Sequence, residues 1–114
     1  VGVDTSVPVG VSLTSTGTTT NNYANALVWP CVGLGKKQIQ LKNTHTTNGL
    51  KYTVSTYLDN DGMATVFRSE TTLAAAGVDT FILERAYAKI VIQIKAAVGD
   101  SQATYQIDFA GGRA

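Results

Sequence analysis

The chain has 114 residues, 44% of them hydrophobic and 15% charged, with a net charge of +1, one cysteine and one histidine. A charge balance so near zero leaves no basic footprint for nucleic acid and no acidic tail. One cysteine excludes an internal disulfide, and no apolar run approaches the ~20 residues of a membrane span.

One domain is the natural reading at this length. The charged share lies well below the usual ~25%, so the polar surface must come from Thr, Ser, Asn and Gln. Such an exterior suits strands and tolerates close approach by other proteins, because few ions need desolvating. Neither an N-x-[ST] sequon nor a signal-peptide pattern is present, so nothing supports secretory maturation.

Along the chain, Val7, Val9, Val11 and Leu13 alternate with smaller or polar residues and predict a strand. Pro8 places it at an edge, since proline cannot donate to a ladder. The run from Thr14 to Asn22 is almost wholly Thr, Ser, Gly and Asn, and reads as a flexible arm or long loop. Residues 26–32 predict an edge strand or bent segment interrupted by Pro30. Gly33 to Gly35 is a turn, and Lys37 to Asn43 a strand with Ile39 and Leu41 on one face.

Asn48-Gly49 closes the next loop with a hairpin signal. Leu50 to Leu58 follows, with Leu50, Tyr52 and Val54 opposite Lys51, Thr53 and Ser55. Asp59-Asn60-Asp61-Gly62 turns the chain, with Gly62 expected at positive φ, and Met63 to Glu70 returns. Leu73 to Gly77 is too short for a stable helix and reads as a loop or 3₁₀ turn. Val78–Leu83, Tyr87–Ala97 and Gln102–Phe109 predict three more strands.

Seven to nine short strands with turns every 8–12 residues or so predict an all-β fold. The expected architecture is a single-domain antiparallel β-sandwich, jelly-roll or Ig-like, or a small barrel, with an extended N-terminal arm. Residues 1–25 form the arm or edge strand, and residues 26–114 the sandwich.

Residues suited to chemistry are scarce. An EF-hand frame fitted to Gly62 puts Tyr57 and Arg68 at the first and last ligand positions, and both fail. Zinc wants three or four ligands, and the sequence offers one His and one Cys besides its carboxylates. His45 therefore reads as a loop histidine facing solvent or a neighbouring subunit, and Cys31 as a small buried hydrophobe. Gly33-Leu34-Gly35-Lys36-Lys37 looks like part of a phosphate loop, but a strand follows it, so the anion-binding helix terminus is missing. No catalytic, metal-ligating or cofactor-binding residue is assigned. Exposed pairs such as Glu84 with Arg85 contribute only about 0–1 kcal/mol.

The order Leu41-Lys42-Asn43-Thr44, Leu50-Lys51-Tyr52-Thr53-Val54, Tyr57 to Gly62, Glu70 to Gly77 and Tyr87 to Lys95 covers about half the chain. It resembles small β-sandwich proteins among the virion structural genes of tailed phages. The Thr-rich run has no counterpart in that resemblance. The resemblance implies a non-enzymatic capsid decoration, or cement, protein that binds the outside of an assembled capsid and stabilises the lattice. It implies a major capsid protein or other virion protein as partner, a homo-oligomer for which a trimer at a local three-fold axis would suit, and a place in the virion, assembled in the host cytoplasm.

Candidate partner-binding residues are Val7, Val9, Val11, Thr18, Asn22, Tyr23 and Trp29. If the arm is the anchor, deleting Val1 to Asn22 is expected to abolish lattice binding and leave a folded domain. Two rival classes stand beside this reading. A carbohydrate-binding or host-adhesion module predicts an exposed aromatic strip or bound Ca²⁺. A small enzyme predicts a pocket of convergent titratable groups.

Overall fold

The structure is a computed structural model describing residues 10–32, 34–59, 61–85 and 87–112. Eight strands are present among them: β1 (Gly10–Thr18), β2 (Ala24–Pro30), β3 (Lys36–Asn43), β4 (Leu50–Tyr57), β5 (Ala64–Leu73), β6 (Val78–Leu83), β7 (Lys89–Ala96) and β8 (Thr104–Gly112). They form two four-stranded sheets, ordered β1-β8-β3-β6 and β2-β7-β4-β5, with every pairing antiparallel.

β1 pairs with β8, β2 with β7, β3 with β6 and β4 with β5, which is the pairing of one long hairpin. Rolling that hairpin adds β3 against β8 and β4 against β7. Eight strands wound this way are a jelly roll. The Ig-like and closed-barrel alternatives are thereby set aside, because each sheet keeps two edge strands.

Alternate residues fill the space between the sheets. β3 buries Lys37, Ile39, Leu41 and Asn43, and β4 buries Leu50, Tyr52, Val54 and Thr56. β7 contributes Ile90, Ile92 and Ile94, and β8 contributes Ile107 and Phe109. Each fully buried Leu or Ile stabilises by roughly 1.5–3 kcal/mol against an exposed reference. Two aromatic contacts join the sheets: Trp29 on β2 meets Phe109 on β8 at 4.9 Å, and Tyr52 on β4 meets Phe81 on β6 at 5.6 Å. Gly111 makes room for the first of these, since a Cβ there would lie 2.8 Å from Leu34 and 3.1 Å from the Trp29 ring.

The edge strand expected up to Leu13 is present from Gly10, and the start of the Thr-rich run, expected as an arm or loop, continues it to Thr18. Gly10 to Thr18 pairs residue by residue with β8, from Gly10 opposite Gly112 to Thr18 opposite Thr104. Its composition supplies little apolar surface, but an edge strand draws on backbone hydrogen bonds, and threonine fits a pleated, half-exposed surface. Deleting Val1 to Asn22 would strip this strand from its sheet, so that truncation does not isolate an anchor. Val7 and Val9 lie outside the described residues.

One buried cation ties the loops at one end. Lys37 is 1% exposed, and its Nζ donates to the carbonyls of Leu34 (2.9 Å), Gly35 (2.8 Å) and Arg85 (2.7 Å). Burial draws its pKa down. The three carbonyl dipoles act the other way, because only the ammonium has three donors to satisfy them. Lys37→Met keeps the apolar stem and leaves these carbonyls without their donor, so urea unfolding is expected to show a loss of about 2–3 kcal/mol.

The β5–β6 turn is strained at Ala76, whose φ of 62° lies in the left-handed region. Ala76→Gly is expected to raise stability by about 0.5–1 kcal/mol, the relief of steric strain outweighing the added freedom of the unfolded chain. A lower unfolding midpoint would contradict this.

Candidate functional site

The antiparallel winding puts four of the seven connections at one end of the molecule and three at the other, and the two ends differ chemically. At one end lie the connections β1–β2, β3–β4, β5–β6 and β7–β8, which are laced together by polar groups. Thr19 donates from Oγ1 to Gln102 (2.9 Å) and accepts the Ala103 N–H (2.9 Å). The Asn21 amide donates to Asp100 (2.9 Å), and its oxygen accepts the Asp100 N–H (2.9 Å). Buried Asn43 donates to the carbonyls of Asn48 (2.9 Å) and Leu73 (3.1 Å) and accepts the His45 N–H (2.9 Å). His45 Nδ1 accepts the N–H groups of Thr47 (3.1 Å) and Asn48 (2.9 Å), so the only histidine organises its own loop.

The opposite end carries Pro30 at the close of β2, the β2–β3 loop, the β4–β5 turn and the β6–β7 loop. Gly10 and Gly112, the outermost described positions of β1 and β8, also lie there. This end exposes large apolar side chains: Val32 (74%), Leu58 (78%), Met63 (89%) and, near the end of β6, Ile82 (61%). Around them are Lys36, Arg85 and Lys89, with Asp59, Asp61 and Glu84. The β4–β5 turn itself is held by the Gly62 N–H on the Asp59 carbonyl (2.9 Å) and the Asp61 N–H on the Asp59 carboxylate (3.1 Å). Gly62 does not take the positive φ expected for it; the left-handed residues among those described are Ala76 and Asp100 besides any glycine.

The flank between β5 and β6 is closed by a third arrangement. Register shifts around Val54 leave extra residues on β5, so Phe67 and Arg68 both reach the gap between the sheets. Phe67 stands edge-on to Phe81 at 6.4 Å, and the Arg68 guanidinium lies 4.7 Å from the same ring. Tyr52 donates its hydroxyl to the Asp79 carboxylate, and Arg68 lies 4.0 Å from that carboxylate. These groups bridge β4 and β5 of one sheet to β6 of the other. Burial, and next the bond to Asp79, push the Tyr52 phenol up to about 12.

On the outer face of the β2-β7-β4-β5 sheet, Glu70 accepts the Tyr23 hydroxyl (2.6 Å) and stands 3.7 Å from both Lys51 and Lys95. That hydroxyl, with the two ammonium groups, holds the Glu70 carboxyl below its ordinary range. The Lys95 ammonium lies 4.7 Å from the Tyr23 ring. The outer face of the other sheet is rich in hydroxyls and amides, with Lys36, Lys42 and Asp108 among them. There Asp108 accepts from Thr14 (2.9 Å) and Gln106 (3.0 Å), which keeps its carboxyl below the usual range.

The residues singled out in the sequence do not form one surface. Thr18, Asn22 and Tyr23 lie at or near the hydrogen-bonded end. Val11 pairs with Gly111 at the opposite end. Trp29 is 4% exposed and packs on Phe109, so it is a core residue and leaves the partner-binding set. Cys31 is buried, its Sγ 3.5 Å from the Tyr87 carbonyl, and burial raises its pKa. Sequence reading missed Val32, Leu58, Met63 and Ile82. The available signal was Leu58 and Met63, apolar residues bracketing a turn where polar residues are usual.

No protein-family profile matches the sequence, and no curated protein sequence matches it. Solved structures share its fold. The SPBc2 prophage-derived protein YomS aligns over 97% of this chain and 99% of its own, with TM-score 0.59 and 11% identity. The Yersinia pseudotuberculosis-derived mitogen aligns over 89% and 86%, with TM-score 0.59 and 11% identity. A subunit of Bacillus endospore appendages, described as a family of disulfide-linked pili, aligns over 94% and 89%, with TM-score 0.56 and 13% identity. Identities this low establish the jelly roll alone, and that fold serves unrelated roles.

The Tyr52 bridge has a pH signature. A phenol whose folded pKa exceeds the ordinary ~10 favours folding while it stays protonated. Its contribution is full below about pH 10 and is lost as pH rises towards 12. Tyr52→Phe is expected to flatten part of the alkaline fall in stability, read as unfolding free energy between pH 9 and 12. A fall identical to that of the unsubstituted chain would remove Tyr52 from this role.

Proposed function

We propose that this chain is a non-enzymatic structural protein of a phage virion, binding the outside of an assembled capsid as a decoration, or cement, protein. The observation that carries this reading is the contrast between the two ends. One end is locked by loop-to-loop hydrogen bonds, and the other offers to solvent Val32 on a loop held by Lys37 and Leu58 and Met63 beside a turn held by Asp59. A rigid body with an apolar end suits docking onto a surface, because little conformational entropy is lost on binding.

Three further features support it. The sequence order from Leu41 to Lys95 resembles virion structural proteins. A prophage-derived protein shares the fold over nearly its entire length. A subunit of pili, which are assemblies of many copies, shares it as well. The major capsid protein, or another virion protein, is the proposed partner, and the place of action is the virion, assembled in the host cytoplasm. Repeated contacts across a lattice act at high effective concentration, so individually weak docking would suffice.

The test uses capsids of the phage or prophage whose genome encodes the chain, stripped of it and mixed with the purified protein. Saturable co-sedimentation and a higher capsid disruption temperature are expected. Absence of binding, with the chain folded, would refute the assignment.

A further inference from the structure

We propose that the outer face of the β1-β8-β3-β6 sheet is a binding site for a neutral glycan. This goes beyond the virion role and does not rest on it.

The site is an open hollow of about 480 Å³ lined by Thr14, Gln38, Gln40, Gln106, Asp108 and Ala110. That volume falls within the range of small-ligand sites. Its shape follows from the sequence of β8. Alternate residues of that strand point outward, and after Asp108 these are Ala110 and Gly112. A Cβ on Gly112 would meet no atom within 4 Å. The sheet surface therefore drops away beside Gln38, which faces Ala110 across the ladder.

The polar groups stand in register. Thr14, Asp108, Gln40 and Thr80 are successive partners across all four strands. Neighbouring strands lie about 4.8 Å apart, so polar groups recur on the scale of one sugar ring. Asp108 is held in place, accepting from Thr14 at Oδ1 (2.9 Å) and from Gln106 at Oδ1 (3.0 Å) and Oδ2 (3.3 Å). Its Oδ2 keeps the capacity to accept from a ligand hydroxyl. Gln38 and Gln40 are exposed, and their amides have no hydrogen-bond partner among the described residues. Each offers a carbonyl acceptor and an NH₂ donor.

This chemistry selects the ligand. A phosphate or sulfate would meet the ionised Asp108. An apolar ligand would strip water from three amides, a hydroxyl and a carboxylate without replacing their bonds. A neutral polyol avoids both costs, since its hydroxyls donate to the carboxylate and exchange hydrogen bonds with the amides. A second hollow of about 390 Å³ adjoins the first at Gln38 and Ala110 and adds Ile82. That side chain is an exposed apolar ledge for the C–H face of a sugar ring. Two joined hollows suit an oligosaccharide better than a single sugar. The aromatic strip expected of a carbohydrate-binding module is not part of this site, because Phe109 is 8% exposed. Affinity therefore rests on hydrogen bonds and gains from several linked copies.

The purified full chain is screened on immobilised oligosaccharides of glucose, galactose, mannose and N-acetylglucosamine, with sialylated and sulfated glycans beside them. The strongest neutral binder is then titrated by calorimetry. Saturable binding of a neutral glycan is expected. Ala110→Trp, which fills the hollow from its floor, is expected to abolish it. Asp108→Asn and Gln40→Ala are each expected to weaken it about tenfold, the scale of one lost hydrogen bond. Lys51→Gln, on the outer face of the other sheet, should leave binding unchanged. Position 110 and Gln40 are exposed, so their variants should keep the unfolding midpoint, which separates loss of binding from loss of fold. No binding to any neutral glycan, a preference for the acidic ones, or binding that survives Ala110→Trp or Gln40→Ala undiminished would each overturn the proposal. Capsid binding without glycan binding would sink this inference and spare the virion role.

Discussion

Two sheets can share one core only if each strand keeps the same parity along the length that faces it. β3 and β4 obey this most strictly, burying every second residue from Lys37 to Asn43 and from Leu50 to Thr56. These strands also pair with β8 and β7, so their alternation fixes the inward faces of the two central pairs. A one-residue slip would turn Ile39, Leu41, Tyr52 and Val54 out to solvent together. The rest of the molecule depends on this register, including the cross-sheet contacts of Trp29 with Phe109 and Tyr52 with Phe81.

β5 is where parity is broken, and the break closes the flank. Strict alternation along β5 would send the adjacent Phe67 and Arg68 to opposite faces. The register shifts instead turn Phe67 and Arg68 towards the Phe81 ring, while Tyr52 and Asp79 join across the gap. An apolar cover and a charged, hydrogen-bonded bridge thus occur together at one sheet edge. The bulges also blunt a long edge strand against indiscriminate pairing with other chains.

The ends complete the division of labour. Loops carrying Asn21, Asn43, Thr19 and Gln102 satisfy one another's backbone and side-chain polar groups, leaving little free for a partner. At the other end Lys37 performs the anchoring from inside, gripping Leu34, Gly35 and Arg85 by their carbonyls.

The period-two pattern made strands β3, β4, β6 and β7 legible from sequence to within a residue or two, because burial of one sheet face imposes that alternation directly. Val7 to Leu13 reads as an edge strand and β1 lies at an edge, whereas the Thr-rich run from Thr14 reads as an arm or loop, since its order comes from a ladder with β8, some 90 residues away. Trp29 reads from the sequence as either a core or an interface anchor, and its enclosure by Phe109 and Gly111 decides for the core. The sequence by itself determined an all-β body, its turns and a low-charge exterior, which follow from local patterning and composition. Tertiary structure alone decided the winding of the strands, the re-aimed Phe67 and Arg68, the burial of a lysine and the gathering of Val32, Leu58 and Met63 at one end. Each of these joins residues far apart in the chain, and local propensity carries no record of such distant partners.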